Sequence, residues 1–258
     1  MRQQTKTSIP FVLILFIFLI VFPKSQLLGQ NAAEIIERMD ERMRGDSNYA
    51  EMTMTIERPR FTREVSMRSW SLGDDFSLIV ITAPARDQGT AFLKRHSEIW
   101  NYVPNIDRTI KMPPSMMSQS WMGSDFTNDD LVRESSTVED YDHRILDPDA
   151  EIEGRSAWLI ELIPKPETPI VWGKVLIWVD KQEFIQLRVE NYDQREELAN
   201  HIEFSDLREF DDRWIASTMI LIPADKPDQR TIMNYDDLQF EIDIDESFFT
   251  QQNMRRIR

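Results

Sequence analysis

The segment Lys111–Gly123 has the composition of a surface that binds apolar groups. It contains four methionines, one tryptophan and the pair Pro113-Pro114. Methionine side chains are flexible and polarizable, and proteins use them where one surface must fit varied apolar partners. Two consecutive prolines exclude a regular central strand, because proline cannot donate to a strand ladder. The segment therefore has two interpretations: a flexible apolar lid over a lipid-binding site, or a loop packed into the core.

Four polar residues with metal-binding side-chain oxygens follow at once, at Asp125, Thr127, Asp129 and Asp130. They lack the glycine and the distal glutamate of an EF-hand calcium loop, so no metal site is predicted. We expect Asp125 and Thr127 to make local side-chain-to-backbone hydrogen bonds that fix a turn. Asp129 is expected to begin a short helix.

Residue types that serve catalysis are sparse. The chain has no cysteine, which excludes thiol catalysis and cysteine-based metal sites. The three histidines, His96, His143 and His201, are far apart, and neither an H-E-x-x-H nor a G-x-S-x-G motif occurs. The sequence therefore predicts neither an enzyme nor a cofactor.

The N-terminus predicts export. Arg2 and Lys6 precede the apolar run Ile9–Phe22, which is shorter than the ~20 residues of a membrane-spanning helix and fits a secretory signal. We expect cleavage after Gly29 or Gln30 and a periplasmic location; an uncleaved anchor is the alternative. The net charge of −15 argues against nucleic-acid and anionic-membrane partners.

One helix and many strands are predicted for the rest of the chain. Asn31 and Glu34 form the pattern of a capping box, and Gly45 follows the last turn, so the helix is expected at Ala32–Arg44. Alternating or apolar runs with turn residues between them then indicate a meandering antiparallel sheet with one covered face. These runs lie at residues 52–56, 65–69, 76–81, 91–94, 99–103, 158–163, 175–179, 185–190, 202–204, 214–222 and 231–240. A short helix is expected near Ser247–Met254, and residues 31–258 are predicted to form a single domain.

Four stretches together resemble one protein family. Ser120–Leu131 is similar to the "S-F-M-G-T-D-F-T-Y-D-D-L" signature of the outer membrane lipoprotein-sorting, LolA-like proteins. Gln88–Leu93, the Trp100-x-Tyr102-x-Pro104 stretch with Arg108 and Lys111, and Val175–Lys181 resemble further motifs of that family in the same order. The resemblance covers nearly the whole chain after the signal.

This resemblance implies a mainly β, α+β fold: an incomplete, strongly curved antiparallel β-barrel with covering helices. It implies a monomeric periplasmic carrier that holds the acyl chains of lipoproteins, or another lipid, in an apolar cavity and moves them towards the outer membrane. An inner-membrane transporter and an outer-membrane acceptor are the implied partners. The alternative is a non-enzymatic interaction module that serves an inner-membrane transporter.

The residues expected at the lipid site are large and apolar. The candidates for the cavity or lid are Met52, Met54, Met67, Phe76, Leu78, Phe92, Trp100, Met116, Met117, Trp121, Met122 and Phe126. Gly123, Asp125, Thr127 and Asp129 are expected to form the signature turn. Each of the apolar candidates has ordinary core packing as its alternative role.

Overall fold

The computed structural model describes residues 31–133, 136–166, 168 and 170–257, which form one open antiparallel sheet and two α-helices. The helices are α1 (Ala32–Arg44) and α2 (Gln251–Arg256). The strands are β1 (Ser47–Arg58), β2 (Phe61–Leu72), β3 (Phe76–Ala83), β4 (Ala91–Arg95), β5 (Glu98–Val103), β6 (Arg108–Lys111), β7 (Tyr141–Ile152), β8 (Arg155–Pro164), β9 (Lys174–Asp180), β10 (Gln186–Tyr192), β11 (Leu198–Phe210), β12 (Arg213–Pro223) and β13 (Arg230–Phe240).

The strand order explains where the chain must cross the sheet. The 13 strands run β6-β5-β4-β3-β2-β1-β13-β12-β11-β10-β9-β8-β7. Both edge strands, β6 and β7, are consecutive in sequence but do not pair with each other. The chain between them therefore has to pass from one edge of the sheet to the other. The predicted open, curved antiparallel sheet with covering helices is confirmed.

Helix α1 covers the half of the inner face built by the later strands. The side chain of Asn31 accepts a hydrogen bond from the Ala33 N–H at 3.3 Å, and Gly45 ends the helix with a φ of 63°. Both end signals lie in the local sequence, and the helix has the bounds that they predict. Its buried residues pack with inner-face residues of β7–β12: Ala32, Ile35, Ile36 and Met39.

The chain between the edge strands covers the other half of the inner face. We call residues 112–128 the covering loop; it contains a 3₁₀ turn at Pro114–Met116 and leads into a π-helical turn at Asp129–Arg133. Its buried side chains pack on the inner residues of β1–β5 and are Met112, Met117, Trp121 and Phe126. Ile202 and Met219 pack against the clusters under both covers, so the inner core is continuous.

The outer face of β3–β5 has a cover of its own. A 3₁₀ turn at Glu246–Phe248 and helix α2 bring Phe249 and Met254 onto it, where both are buried. The helix predicted near Ser247–Met254 is thus present as these two short pieces.

Two strands were not predicted from the sequence, and they are the two edges of the sheet. β6 is four residues long and mostly exposed, and β7 carries Pro148 and exposes side chains on both faces. Edge strands lack the neighbours that impose alternation, so the hydrophobic pattern is weak there.

The predicted signal sequence and its cleavage site lie outside the described residues. Among those described, no helix combines the length and apolar character needed to cross a membrane.

Candidate functional site

A cavity of about 330 Å³ lies on the inner face of the sheet, between α1 and the covering loop. Met43 at the end of α1 and Trp121 and Phe126 of the covering loop belong to its wall. The rest of the wall comes from inner-face residues of the sheet. The volume falls at the lower end of the ~300–1,000 Å³ usual for small-molecule sites.

Most of the wall is apolar and much of it is deformable. Its methionines are Met43, Met52, Met67, Met219 and Met233. Other large apolar residues in the wall are Ile79, Leu131, Leu162, Ile177, Val189, Ile202, Phe204 and Leu238. Methionine has three rotatable side-chain bonds, so such a wall can adjust to chains of different shape.

One end of the cavity is polar. Asn48, Ser71 and Ser77 are cross-strand neighbours on β1, β2 and β3, and all three line the cavity. Arg44 of α1 lies at the same end and contacts the carboxylates of Asp40 at 3.4 Å and Asp74 at 3.0 Å. The site therefore combines an apolar body with a hydrogen-bonding end, as ligand pockets commonly do.

Two buried polar groups of the wall have no hydrogen-bond partner among the described residues. They are the indole N–H of Trp121 and the hydroxyl of Ser71. Trp121 is 0% exposed and Ser71 is 8% exposed. Leaving a buried donor unsatisfied costs about 1–3 kcal/mol, so both groups are unusual for a closed core.

The covering loop is attached to the sheet mainly through Asp125. Its carboxylate accepts two hydrogen bonds from Arg58, at 2.9 and 3.0 Å, and a third from the Thr231 hydroxyl at 2.6 Å. The Arg58 and Asp125 side chains are 13% and 10% exposed. The expectation that Asp125 makes local turn bonds is therefore wrong: a long-range ion pair uses its carboxylate. The Arg63 guanidinium adds a hydrogen bond to the Met122 carbonyl at 2.9 Å.

The rest of the signature turn behaves locally, as expected. The Thr127 hydroxyl accepts from the Asp130 N–H at 3.2 Å, and the Asp130 carboxylate accepts from the Thr127 N–H at 2.7 Å. This reciprocal pair caps the π-helical turn that begins at Asp129, in the manner of a capping box. Gly123 has a φ of 78°, a left-handed conformation that favours glycine.

Helix α1 is attached at its exposed side to the hairpin between β9 and β10. Arg42 pairs with Glu183 at 2.6 Å, and the Arg38 guanidinium lies 3.7 Å from the centre of the Phe184 ring. Asp180 holds this hairpin: its carboxylate accepts from Arg155 at 2.9 Å and from the backbone N–H groups of the turn. Burial alone would raise the pKa of Asp180, but these hydrogen bonds together lower it below its usual value.

Four of the predicted site residues line the cavity, namely Met52, Met67, Trp121 and Phe126. Five others belong to the core beneath the covering loop or pack against it, next to the cavity: Met54, Met116, Met117, Phe92 and Met122. Part of the loop therefore fills the core, as one interpretation of its sequence expects, and part of it forms the cavity wall. Its role as a flexible lid over a lipid site stays a prediction.

Three predicted residues do not lie at the cavity. Phe76, Leu78 and Trp100 are on the outer face, packed with the C-terminal Phe249 and Met254. The run Phe76–Ile81 is buried on both faces of the sheet, so its sequence does not show which side chains point inward. Ile79 is the residue of that run that reaches the cavity.

Sequence reasoning also missed the cavity residues from the later strands. These include Ile177, Val189, Ile202, Phe204, Met219 and Tyr235. Some signal was present, because Ile202 and Phe204 alternate with polar neighbours in a predicted strand. The composition of the methionine-rich segment does not indicate that the later strands of the sheet complete the cavity wall.

Within the described residues, no group of three or more histidine, aspartate or glutamate side chains is arranged as a metal site. The histidines make separate contacts: His96 with Asp75 at 3.3 Å, His143 with the Thr137 carbonyl at 2.6 Å and His201 with Glu203 at 3.5 Å. The residues around the cavity form a mainly apolar container with one polar end.

Solved structures with this fold include proteins from three bacteria. A DUF1329 family protein from Desulfovibrio piger has a TM-score of 0.79 and 23% identity, covering 86% of this chain and 97% of that one. A putative outer membrane lipoprotein-sorting protein domain from Vibrio parahaemolyticus has a TM-score of 0.76 and 27% identity, covering 88% and 100%. A LolA superfamily protein from Nitrosomonas europaea has a TM-score of 0.75 and 22% identity, covering 86% and 99%.

A comparison with curated proteins gives no match. A family model with the description "-like: Uncharacterized protein" matches residues 73–256, which is well over half of the chain. The chain therefore belongs to the family of this model, and its fold is similar to that of LolA superfamily and outer membrane lipoprotein-sorting proteins.

Proposed function

We propose that this protein is a periplasmic carrier that holds the acyl chains of a lipoprotein, or of another lipid, and moves them towards the outer membrane. The observation that carries the proposal is the cavity between α1 and the covering loop, whose wall is largely methionine, aromatic and aliphatic. The fold shared with the lipoprotein-sorting protein domain from Vibrio parahaemolyticus supports it.

The energetics of such a site are favourable. Each CH₂ group removed from water contributes ~0.8 kcal/mol, so burial of part of an acyl chain gives several kcal/mol. A cavity of about 330 Å³ suits part of one chain without rearrangement. A deformable methionine wall, together with a loop held by discrete polar contacts, supplies a way to enlarge it and to release the chain.

A carrier of this kind needs no catalytic group and no cofactor. Its task is to exclude water from the chain during transfer and to give the chain up to an acceptor. We propose that residues 1–30 direct the chain to the periplasm and that the carrier acts as a monomer.

The rim of the cavity supports docking to a basic partner. A polar depression next to the cavity shares Asp40 and Arg44 with it and is otherwise mainly acidic, with Glu41, Asp46, Asp74, Asp75, Glu139 and Glu241 beside Arg213. Such a rim complements a positively charged patch on a membrane transporter or acceptor. Docking driven by these charges should weaken as salt is added, because exposed charges are screened within ~10 Å at 0.1 M.

The decisive experiment is to identify the cargo. The protein, purified gently from the periplasm, is subjected to native mass spectrometry and to lipid extraction. Stoichiometric acyl lipid supports the carrier. Repeatedly empty protein that takes up neither a fluorescent fatty acid nor its methyl ester contradicts it and favours a purely protein-binding module.

A further inference from the structure

Trp121 and Trp172 both line the cavity, and their indole N–H groups differ in one respect. Trp172 donates to the Asp130 carboxylate at 3.3 Å, whereas the N–H of Trp121 finds no acceptor among the described residues although its side chain is fully buried. The buried hydroxyl of Ser71, on β2, likewise has no hydrogen-bond partner within the described part of the chain.

An indole N–H can only donate, and a serine hydroxyl can donate or accept. Buried polar groups in folded proteins are nearly always hydrogen-bonded, so these two point to a partner that occupies the cavity. A plain hydrocarbon chain offers no acceptor and would leave both groups unsatisfied. A carbonyl oxygen would accept from either of them.

The charge of the wall restricts the kind of carbonyl. Among the described residues that line the cavity, the ionisable acids are Asp40, Asp129 and Asp130, and the only cation is Arg44. Arg44 already contacts Asp40 and Asp74. A free carboxylate would therefore enter a wall of its own sign, whereas an ester or amide carbonyl carries no charge.

We infer that the ligand is an acyl chain attached through neutral carbonyl groups, esters or amides, and that Trp121 and Ser71 each offer a hydrogen bond to such a carbonyl oxygen. This inference rests on the proposed function and names the chemical class of its cargo. Trp121 belongs to the covering loop and Ser71 to β2, so carbonyl acceptors on the ligand would join the loop to the sheet.

The test compares hexadecane, methyl palmitate and palmitate as competitors of the neutral dye N-phenyl-1-naphthylamine bound to the full protein. The variants are Trp121→Phe, Ser71→Ala and their combination, with Trp172→Phe as the matched control. Ser71→Ala removes only a hydroxyl and keeps the test usable if the larger change disturbs folding. Each variant's effect on methyl palmitate is divided by its effect on hexadecane, which cancels changes in cavity size.

The double variant should weaken methyl palmitate binding about two- to tenfold more than hexadecane binding, the loss expected for one neutral hydrogen bond to the single carbonyl of methyl palmitate. Trp172→Phe should affect both probes alike, and palmitate should compete less well than its methyl ester at neutral pH. Equal effects of the double variant on ester and alkane overturn the two donors, and palmitate competing as well as its ester overturns the neutral ligand; in both cases the carrier itself survives. A wild-type protein that binds none of the three probes contradicts the carrier and this inference together.

Discussion

The two covers of the inner face are attached to the sheet by different kinds of contact. Helix α1 satisfies most of its backbone hydrogen bonds internally and packs on the sheet through a stripe of buried side chains, of which Ile35 and Ile36 are 0% exposed. The covering loop has only short turns of regular structure, and its attachment combines buried Trp121 with the ion pair between Arg58 and Asp125.

This difference indicates which cover can move. Shifting α1 exposes a continuous apolar stripe, which costs free energy in proportion to the area uncovered. Shifting the covering loop uncovers its four buried apolar side chains, but two of them, Trp121 and Phe126, line the cavity, where apolar cargo can cover them. The polar contacts that are lost at the same time, such as the Arg58–Asp125 pair, can be replaced by water. We therefore expect α1 to be the fixed cover and the loop to be the one that opens for cargo.

The largest effect is expected when the fixed cover is damaged. Ile36→Ala removes a fully buried side chain of α1 and should lower the free energy of unfolding by about 2–5 kcal/mol, measured by urea denaturation. Glu37→Ala, one residue later on the exposed side, is the control and should change it by less than ~0.5 kcal/mol. Equal effects of the two substitutions would show that α1 is not packed as described.

The second effect concerns the loop attachment. Asp125→Ala leaves the guanidinium of Arg58 largely buried and unpaired, and it should cost about 3 kcal/mol. Hydrogen exchange should become faster in residues 112–128 before it does in α1. If both covers lose protection together, the loop does not open independently.

A paired substitution serves as its control. Arg58→Met with Asp125→Leu replaces the whole ion pair by apolar side chains and should recover most of the lost stability. Glu98→Gln alters an exposed pair with Lys111 and should leave urea denaturation unchanged.

Helix α1 could be predicted with its correct ends because both end signals are local. Asn31 and Gly45 act on backbone groups within a few residues of themselves. The inner strands could also be predicted, since each has one face in the core. The edge strands β6 and β7 could not, because their exposed faces impose no alternation.

The cavity was predicted less completely than the fold for a related reason. Sequence indicates which side chains are buried but not which face of a two-sided strand they occupy, so Phe76 and Leu78 were assigned to the cavity instead of Ile79. It also does not show that Asp125 meets Arg58, since the two are distant along the chain and become neighbours only when the loop crosses the sheet.

A smaller effect should separate the cavity wall from the core beneath the loop. Met52 and Met54 lie two residues apart on the same face of β1, but only Met52 lines the cavity, and Met54 is 0% exposed. Met52→Ser should weaken acyl binding about three- to tenfold, the loss of one or two methylene contacts, with a small change in melting temperature. Met54→Ser should lower the melting temperature and change acyl binding little, because it leaves a void in the core. Parallel losses of binding and stability in both variants would argue that the cavity and the core are one packing unit.

The smallest effect is expected from acid, and it should reach α1 before the loop. Because hydrogen bonds lower the pKa of Asp180 in the folded state, its ionised form stabilises the fold at pH values above the ordinary aspartate pKa of ~3.9. That stabilisation is lost as the pH falls through the lower pKa of the folded state. Asp180→Asn removes this pH-dependent contribution, so the urea midpoints of wild type and variant should differ at pH 7 and converge below about pH 4.

Since Asp180 holds the hairpin that contacts Arg42 and Arg38, hydrogen exchange in the variant at pH 7 should rise in α1 and not in the covering loop. A gap between the midpoints that stays constant down to pH 3, or faster exchange in the loop alone, would mean that this hairpin does not hold the fixed cover.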